Sequence, residues 1–226
     1  MWYPGKLADV DLVASGFAER ESGGDCTACC FSGGVDSFYS LLRHLPDAEP
    51  DPAYRVGQAL FVHGFDIPLA EKGFYDRLAD RYEAALAPLG VELIRCRTNL
   101  REMLDPHLSW MTAHGAALQS VAHFLAAGLR RLVIPSTNRF SLFNPPIGSN
   151  PITDPQLSSE RLELLHDGCD ASRIEKIVAI ADDPVAQRHL RVCFQPPGAT
   201  ENCGRCVKCQ KTMLPLWAIG RLDRFG

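Results

Sequence analysis

Five short apolar runs organise the chain, with helical spacing or a polar loop between them. The first, Cys26-Thr27-Ala28-Cys29-Cys30-Phe31, leads into a glycine turn and then an amphipathic segment, Phe38-Tyr39-Ser40-Leu41-Leu42, so it reads as strand, turn, helix. Residues 56–63 read as a buried strand. Asp66 is placed to N-cap a helix with Pro68 in its first turn, running to about Leu86 through Leu69, Phe74, Leu78 and Tyr82. Residues 90–96 form a third strand. A long helix follows over about 110–127, with Gly128 as its C-cap. Residues 131–135 and 162–166 are the fourth and fifth strands. This alternation predicts an α/β fold, a parallel sheet with helices on both faces. Ligands of such sheets sit beyond the carboxyl ends of the strands, which singles out residues 32–37, 63–66, 136–138 and 166–168.

Residues 136–158 break the rhythm as a long Pro/Asn/Ser-rich loop that includes Phe140 and Phe143. A loop of that length in a compact domain is usually a lid, a clamp or disordered, and its aromatics favour ordering on a ligand or partner. The length of 226 residues suits one large domain with a small appendage, divided here at 1–190 and 191–226. Lys and Arg number 23 against 27 Asp and Glu, so the net charge of −4 offers no global field for a polyanion, and nucleic acid is a disfavoured partner. No apolar run approaches the length of a membrane span, and Met1-Trp2-Tyr3-Pro4-Gly5 lacks the basic-then-apolar order of a signal peptide. A cytoplasmic location is expected, and a homodimer is an expected assembly.

The turn after the first strand is Ser32-Gly33-Gly34-Val35-Asp36-Ser37. Its glycines can adopt positive φ and bring backbone N–H groups to an anion, and the helix behind them directs the positive end of its dipole to the same place. Ser32 and Ser37 add hydroxyls; Asp36 adds a carboxylate suited to a Mg²⁺ that carries phosphates. The Lys-Ser/Thr pair of a Walker loop is absent. The plain alternative is a structural glycine turn.

Nine cysteines divide into a cluster and a remainder. Cys193, Cys203, Cys206 and Cys209 offer four soft ligands through two overlapping Cys-x-x-Cys turns and one upstream thiol, enough for a closed tetrahedral Zn²⁺ site. An Fe–S cluster and disulfides are the competing readings. Arg205, Lys208 and Lys211 would offset the charge of a tetrathiolate centre. Cys26 and Cys29 share chelating spacing but lie on a strand, where residues three apart face opposite sides, so both are expected in the core. Cys96 and Cys169 are expected as buried small residues.

The glycine turn resembles the SGGxDS loop of the PP-loop ATP pyrophosphatase superfamily. With the four-cysteine cluster, the chain is similar to the 7-cyano-7-deazaguanine synthases, the nitrile-forming ligases of queuosine biosynthesis. Arg191-Val192-Cys193-Phe194 looks like that family's Ser-Cys-Tyr segment, and Ser172-Arg173-Ile174-Glu175-Lys176 like its basic helix start. The resemblance implies an adenine nucleotide alpha-hydrolase-like fold with a zinc-binding C-terminal segment, and ATP cleavage between the α and β phosphates. It implies a carboxylate activated as an acyl-adenylate and converted with ammonia to an amide and then a nitrile. The chain departs from the family where it has His63-Gly64-Phe65-Asp66 in place of Tyr-Gly-Gln, and Gly148-Ser149-Asn150-Pro151-Ile152-Thr153-Asp154-Pro155 in place of a Tyr-Pro-Asp-Cys-Arg segment.

On this reading the backbone of Ser32, Gly33, Gly34, Val35 and Ser37 binds pyrophosphate, with Asp36 placing Mg²⁺. His63, Gly64, Phe65 and Gly115 meet the nucleoside, although His63 reads equally well as a hydrogen-bonded strand-end residue. Arg173 and Lys176 neutralise phosphate or face solvent. Asn138 and Arg139, a planar fork, take the substrate carboxylate. Asp154 reads as part of an Asp-Pro turn. His114, His123 and His189 read as structural. The alternatives are a PP-loop sulfur transferase acting on tRNA or a small molecule, for which Cys169 is the best-placed lone thiol, and a non-catalytic nucleotide sensor.

Overall fold

Successive residues of the central strand face different cores. In β1 (Cys26–Cys30), Ala28 and Cys30 join one apolar cluster while Cys29, with Phe31 just beyond, joins the other. That is the pleat of a strand buried on both sides, and it explains the unbroken apolar run. The computed structural model describes residues 11, 13–16, 24–142, 147–193 and 201–225. Beside β1 lie β2 (Val56–His63), β3 (Glu92–Arg97), β4 (Leu129–Pro135) and β5 (Glu163–Asp167). The order is β3-β2-β1-β4-β5 and every pairing is parallel.

Helices α1 (Val35–Arg43), α2 (Lys72–Leu86), α5 (Arg173–Ile180), α6 (Pro184–His189) and α7 (Val207–Ala218) contribute to the core on one face. Helix α4 (Trp110–Phe124), joined by the short α3 (Leu100–Leu104), covers the other. The chain builds outward from β1 through β2 to β3, then crosses to β4 on the far side of β1. The carboxyl ends of β1 and β4 therefore form a topological switch point, where diverging connections leave a crevice. Val192, Cys193, Cys209 and Leu216 belong to the same apolar cluster as Phe38 and Ile177, so the cysteine-rich segment shares a core with the sheet. No helix among the described residues is long and apolar enough to cross a membrane.

Helix starts differ in a way that bears on the site. Helix α5 has a full capping box, in which Ser172 Oγ accepts from Glu175 N and Glu175 Oε2 accepts from Ser172 N at 2.7 Å. Asp183 caps α6 through a 2.7 Å bond from Ala186 N. Helix α1 begins at Gly34 with no side-chain cap, which leaves its first N–H groups for another acceptor.

Several local expectations are corrected. Asp66 does not cap a helix: Gly64, at φ 105°, donates its N–H to Ile67 O at 2.9 Å, a 3-10 turn spans Leu69–Glu71, and α2 starts only at Lys72. Helix α4 ends at Phe124, so Gly128 lies in the following turn. Cys26 is exposed at the start of β1, and Cys96 and Cys169 are only half-buried. The 136–158 connection carries short 3-10 turns at Phe140–Leu142 and Pro155–Leu157; Phe143 lies outside the described residues.

Candidate functional site

The glycine turn is held from below and behind. Phe31 packs edge-on against Phe38 and Tyr82, with ring centroids 5.0 and 5.2 Å away. Gly33 sits at φ 75°, and a Cβ there would fall 1.9 Å from the Tyr82 hydroxyl, so only glycine fits. The Gly33 carbonyl accepts from Arg191 N at 2.8 Å, which ties the turn to the start of the cysteine-rich segment. Ser37 Oγ donates to Gly34 O at 3.0 Å, and Ser32 Oγ lies 3.4 Å from Ser37 Oγ. The uncapped α1 terminus, flanked by the two hydroxyls, is an arrangement that can bind phosphate.

A ring of cations adjoins it. Asp36 Oδ2 accepts from Arg173 Nη1 at 2.5 Å and its Oδ1 from Lys176 Nζ at 3.5 Å. Lys176 is 1% exposed and also donates to Ser136 O, so it bridges the ends of β1 and β4. Burial pulls the Lys176 pKa down, and the Asp36 charge opposes that. With both Asp36 oxygens holding cations, the carboxylate works here as the anchor of Arg173 and Lys176. Lys208, near the start of α7, borders the same cleft, where Asp66 and Asp36 supply opposing charge. The Arg191 guanidinium lies 4.8 Å over the Phe74 ring and completes the group.

The cleft these residues line has a volume of about 640 Å³. Its far wall is aromatic. Phe65 and Trp110 have centroids 5.0 Å apart, Arg101 stacks 4.7 Å over Trp110, and Arg101 Nη1 donates to Phe65 O at 2.6 Å. His114 and Leu118, from α4, line the same wall. One end of the cleft is thus built for anions and the other for a flat or apolar group.

Of the residues singled out from sequence, Ser32, Gly34, Asp36, Ser37, Phe65, Asp66, Arg173, Cys193 and Lys208 line this cleft. Gly33 and Val35 are buried beneath it. His63 is corrected to its strand-end reading: its Nε2 is 2.9 Å from Pro68 O and its ring stacks on Tyr75 at 4.4 Å, away from the cleft lining. Gly64 serves the turn described above; a Cβ there would fall 1.8 Å from Thr98 O. Gly115 is a close-approach glycine, since a Cβ would fall 2.0 Å from Gly148 O, where the 136–158 connection lies on α4. Asn138 and Arg139 border a separate small recess, and Arg139 stands 3.7 Å from Glu175. Lys176 stands behind Asp36 rather than on the lining. Sequence reasoning gave Lys208 to the charge of the thiolate cluster, placed Arg191 only in the segment of the first ligand and left His114 structural, and it passed over Arg101 and Trp110. Only Lys208 carried a local signal, because the Cys206–Cys209 spacing fixes where its helix starts.

The four C-terminal thiols come together as expected. Cys206 Sγ lies 3.5 Å from Cys209 Sγ and 3.9 Å from Cys193 Sγ, and Cys203 Sγ is 3.9 Å from Cys209 Sγ. All four lie within 4.8 Å of one another, and none is in a disulfide. A tetrahedral ion with metal–sulfur bonds of about 2.3 Å sets its sulfurs about 3.8 Å apart, so this group can hold a metal such as zinc. The N–H groups of Arg205 and Cys206 donate to Cys203 Sγ at 3.4 and 3.3 Å and lower its pKa. Burial pushes the Cys209 thiol up to about 12, which a bound cation would reverse. No protein-family model matches the chain, and neither does any curated protein.

Proposed function

We propose that this chain is an ATP-dependent ligase that adenylates a substrate carboxylate and passes the acyl group to ammonia, in the manner of the 7-cyano-7-deazaguanine synthases it resembles. The observation that carries this reading is the uncapped α1 terminus opening into a cleft lined by Arg173, Arg191 and Lys208. ATP enters as its magnesium complex. Its β and γ phosphates meet the N–H groups of α1 and the Ser32 and Ser37 hydroxyls, and its adenosine lies toward Phe65 and Trp110. The carboxylate oxygen attacks the α-phosphorus, the bond to the β-phosphate breaks, and pyrophosphate leaves. Charge grows on that leaving group, and the cations already fixed beside it stabilise the charge without reorganising. Asp36 acts as a positioning residue that holds Arg173 toward the phosphates.

A sulfur-transfer reading would need a reactive thiol at the cleft. Cys30 and Cys193 reach it, but burial pushes the Cys30 pKa to about 12 and keeps it protonated, Cys193 belongs to the four-thiol group, and Cys169 borders the small recess instead. A terminal zinc centre in the cysteine cluster would fix the course of Arg191 and Lys208; its role is structural, because four thiolates leave no open position.

The test is ATP–pyrophosphate exchange by the purified protein with magnesium-ATP and a panel of heteroaromatic carboxylates, with AMP scored after ammonium is added. Carboxylate-dependent exchange is expected. Hydrolysis to ADP and phosphate, or exchange indifferent to every carboxylate, would overturn the reading.

A further inference from the structure

Behind the β4–β5 connection lies a recess that the adenylation chemistry does not use. It shares Thr137 and Ser149 with the large cleft, and its other polar lining is Ser136, Asn138, Asn150, His166, Cys169 and Arg139, whose charge stands 3.7 Å from Glu175. About 10 Å³ is open there to the centre of a water-sized sphere, room for one molecule the size of water or ammonia.

Its wall holds a buried acid–base pair. Asp154 is 0% exposed, and its carboxylate is fully engaged: Oδ1 accepts from Gln119 Nε2 at 2.9 Å, and Oδ2 from Ser149 Oγ at 2.6 Å and His166 Nδ1 at 2.8 Å. The His166 side chain is only 3% exposed. Because the carboxylate accepts at both oxygens, Nδ1 must carry the ring proton. In the neutral ring the lone pair then lies on Nε2, the tautomer a general base requires. Four separate elements converge to build this pair: α4 supplies Gln119, β5 supplies His166, and two turns of the connection supply Ser149 and Asp154. A simple Asp-Pro turn needs none of these partners.

We propose that this recess is the ammonia subsite and that His166, oriented by Asp154, is the base for nitrogen transfer. The inference rests on the ligase reading above and adds to it the residue and the place for its second half. Ammonia enters as NH₃ and donates one N–H to His166 Nε2. As the carbon–nitrogen bond forms at the acyl carbon, that proton passes to Nε2. The carbon–oxygen bond to AMP breaks, and AMP leaves with the electron pair. A positioned base contributes on the order of 10²-fold or more to such a step.

The test has two arms on the full chain, with His166→Gln as the variant, since glutamine still donates to Asp154 but supplies no base. The first arm needs no substrate. With ¹⁵N-labelled histidine, His166 signals are assigned by their loss in the variant. The expected result is the Nδ1-protonated tautomer, with an Nε2 signal that shifts saturably with ammonium chloride at mildly alkaline pH and not with tetramethylammonium chloride. An Nε2-protonated ring, or equal response to both salts, overturns the proposal. The second arm compares amide formation with carboxylate-dependent exchange. The ratio should fall by on the order of 10² in the variant with ammonia and far less with hydroxylamine, a stronger nucleophile. An unchanged ratio overturns the proposal. Failure of exchange in the unmodified protein would sink the ligase reading alone, because the first arm still decides the recess.

Discussion

The glycine turn and the cysteine cluster are built on opposite principles, although Arg191 N joins one to the other. The turn depends on the sheet: Gly33 has its conformation because β1 ends there and because Tyr82 from α2 occupies the space a Cβ would need. The cluster depends on ligand spacing, with no helix or strand over residues 201–206 among the described residues. Apolar burial therefore secures the first, and a bound ion would secure the second. The comparison teaches that the cation ring is a joint product. Arg173 arrives with a capped helix of the sheet layer, whereas Arg191 and Lys208 arrive with the cluster.

The largest effect should come from the cluster. Cys206→Ser, or a strong chelator, should unfold the segment after residue 190 and lower overall stability by several kcal/mol. Thermal melting with metal analysis checks this, and one zinc per chain is expected. An unchanged melt in metal-free protein would break the contrast between the two regions.

Next in size is the anchor of the cations. Asp36→Ala should reduce ATP–pyrophosphate exchange by on the order of 10²-fold or more. It also strands Lys176, 1% exposed, without its counter-charge, so stability should fall by about 3 kcal/mol. Adding Lys176→Met should recover most of the melt but none of the exchange, and recovery of both would show that Asp36 has no part in positioning. A smaller effect is expected at the seam between the regions: Lys208→Ala should weaken ATP binding by about tenfold, with the melt unaltered, measured by calorimetry.

The smallest effect sits away from both regions. His44 lies 3.0 Å from Glu49 and 3.2 Å from Asp167. Burial alone would lower the His44 pKa, but those carboxylates hold it above 6.5. Burial would raise Asp167, yet His44, Ser40 and Arg43 hold it below 3.8. The His44 contribution is complete below 6.5 and lost as pH rises through its raised value. The Asp167 contribution is present above 3.8 and lost as pH falls. The melting difference between the unmodified chain and His44→Gln should thus be largest at about pH 4–6.5, about 1 kcal/mol, and shrink by pH 9. A pH-independent difference would rule out the linkage.

What could be read from sequence was what a short window decides. Strand β1 announced itself by an apolar run, the glycine turn by its place between strand and helix, and the cluster by cysteine spacing. The aromatic wall gave no such sign, because Phe65, Arg101 and Trp110 meet only once β2, α3 and α4 are assembled. Asp66 misled for a related reason. A cap followed by proline looks the same whether the helix starts at once or, as here, after a turn closed by Gly64. Asp154 shows the limit most plainly: its local context is an ordinary turn, and of its three partners only Ser149 is near in sequence, while Gln119 and His166 lie on α4 and β5.

The bond from Arg191 to Gly33 has a consequence for synthesis. The turn leaves the ribosome long before the segment that clasps it, and β1 must also wait for β4, its partner on the far side. A nascent chain can therefore bury much of the β2–β3 half of its sheet while the glycine turn is still unclasped. Completion of the anion end waits for the cysteine-rich segment, so a chain stalled before it would resemble the finished protein in bulk with its glycine turn unclasped.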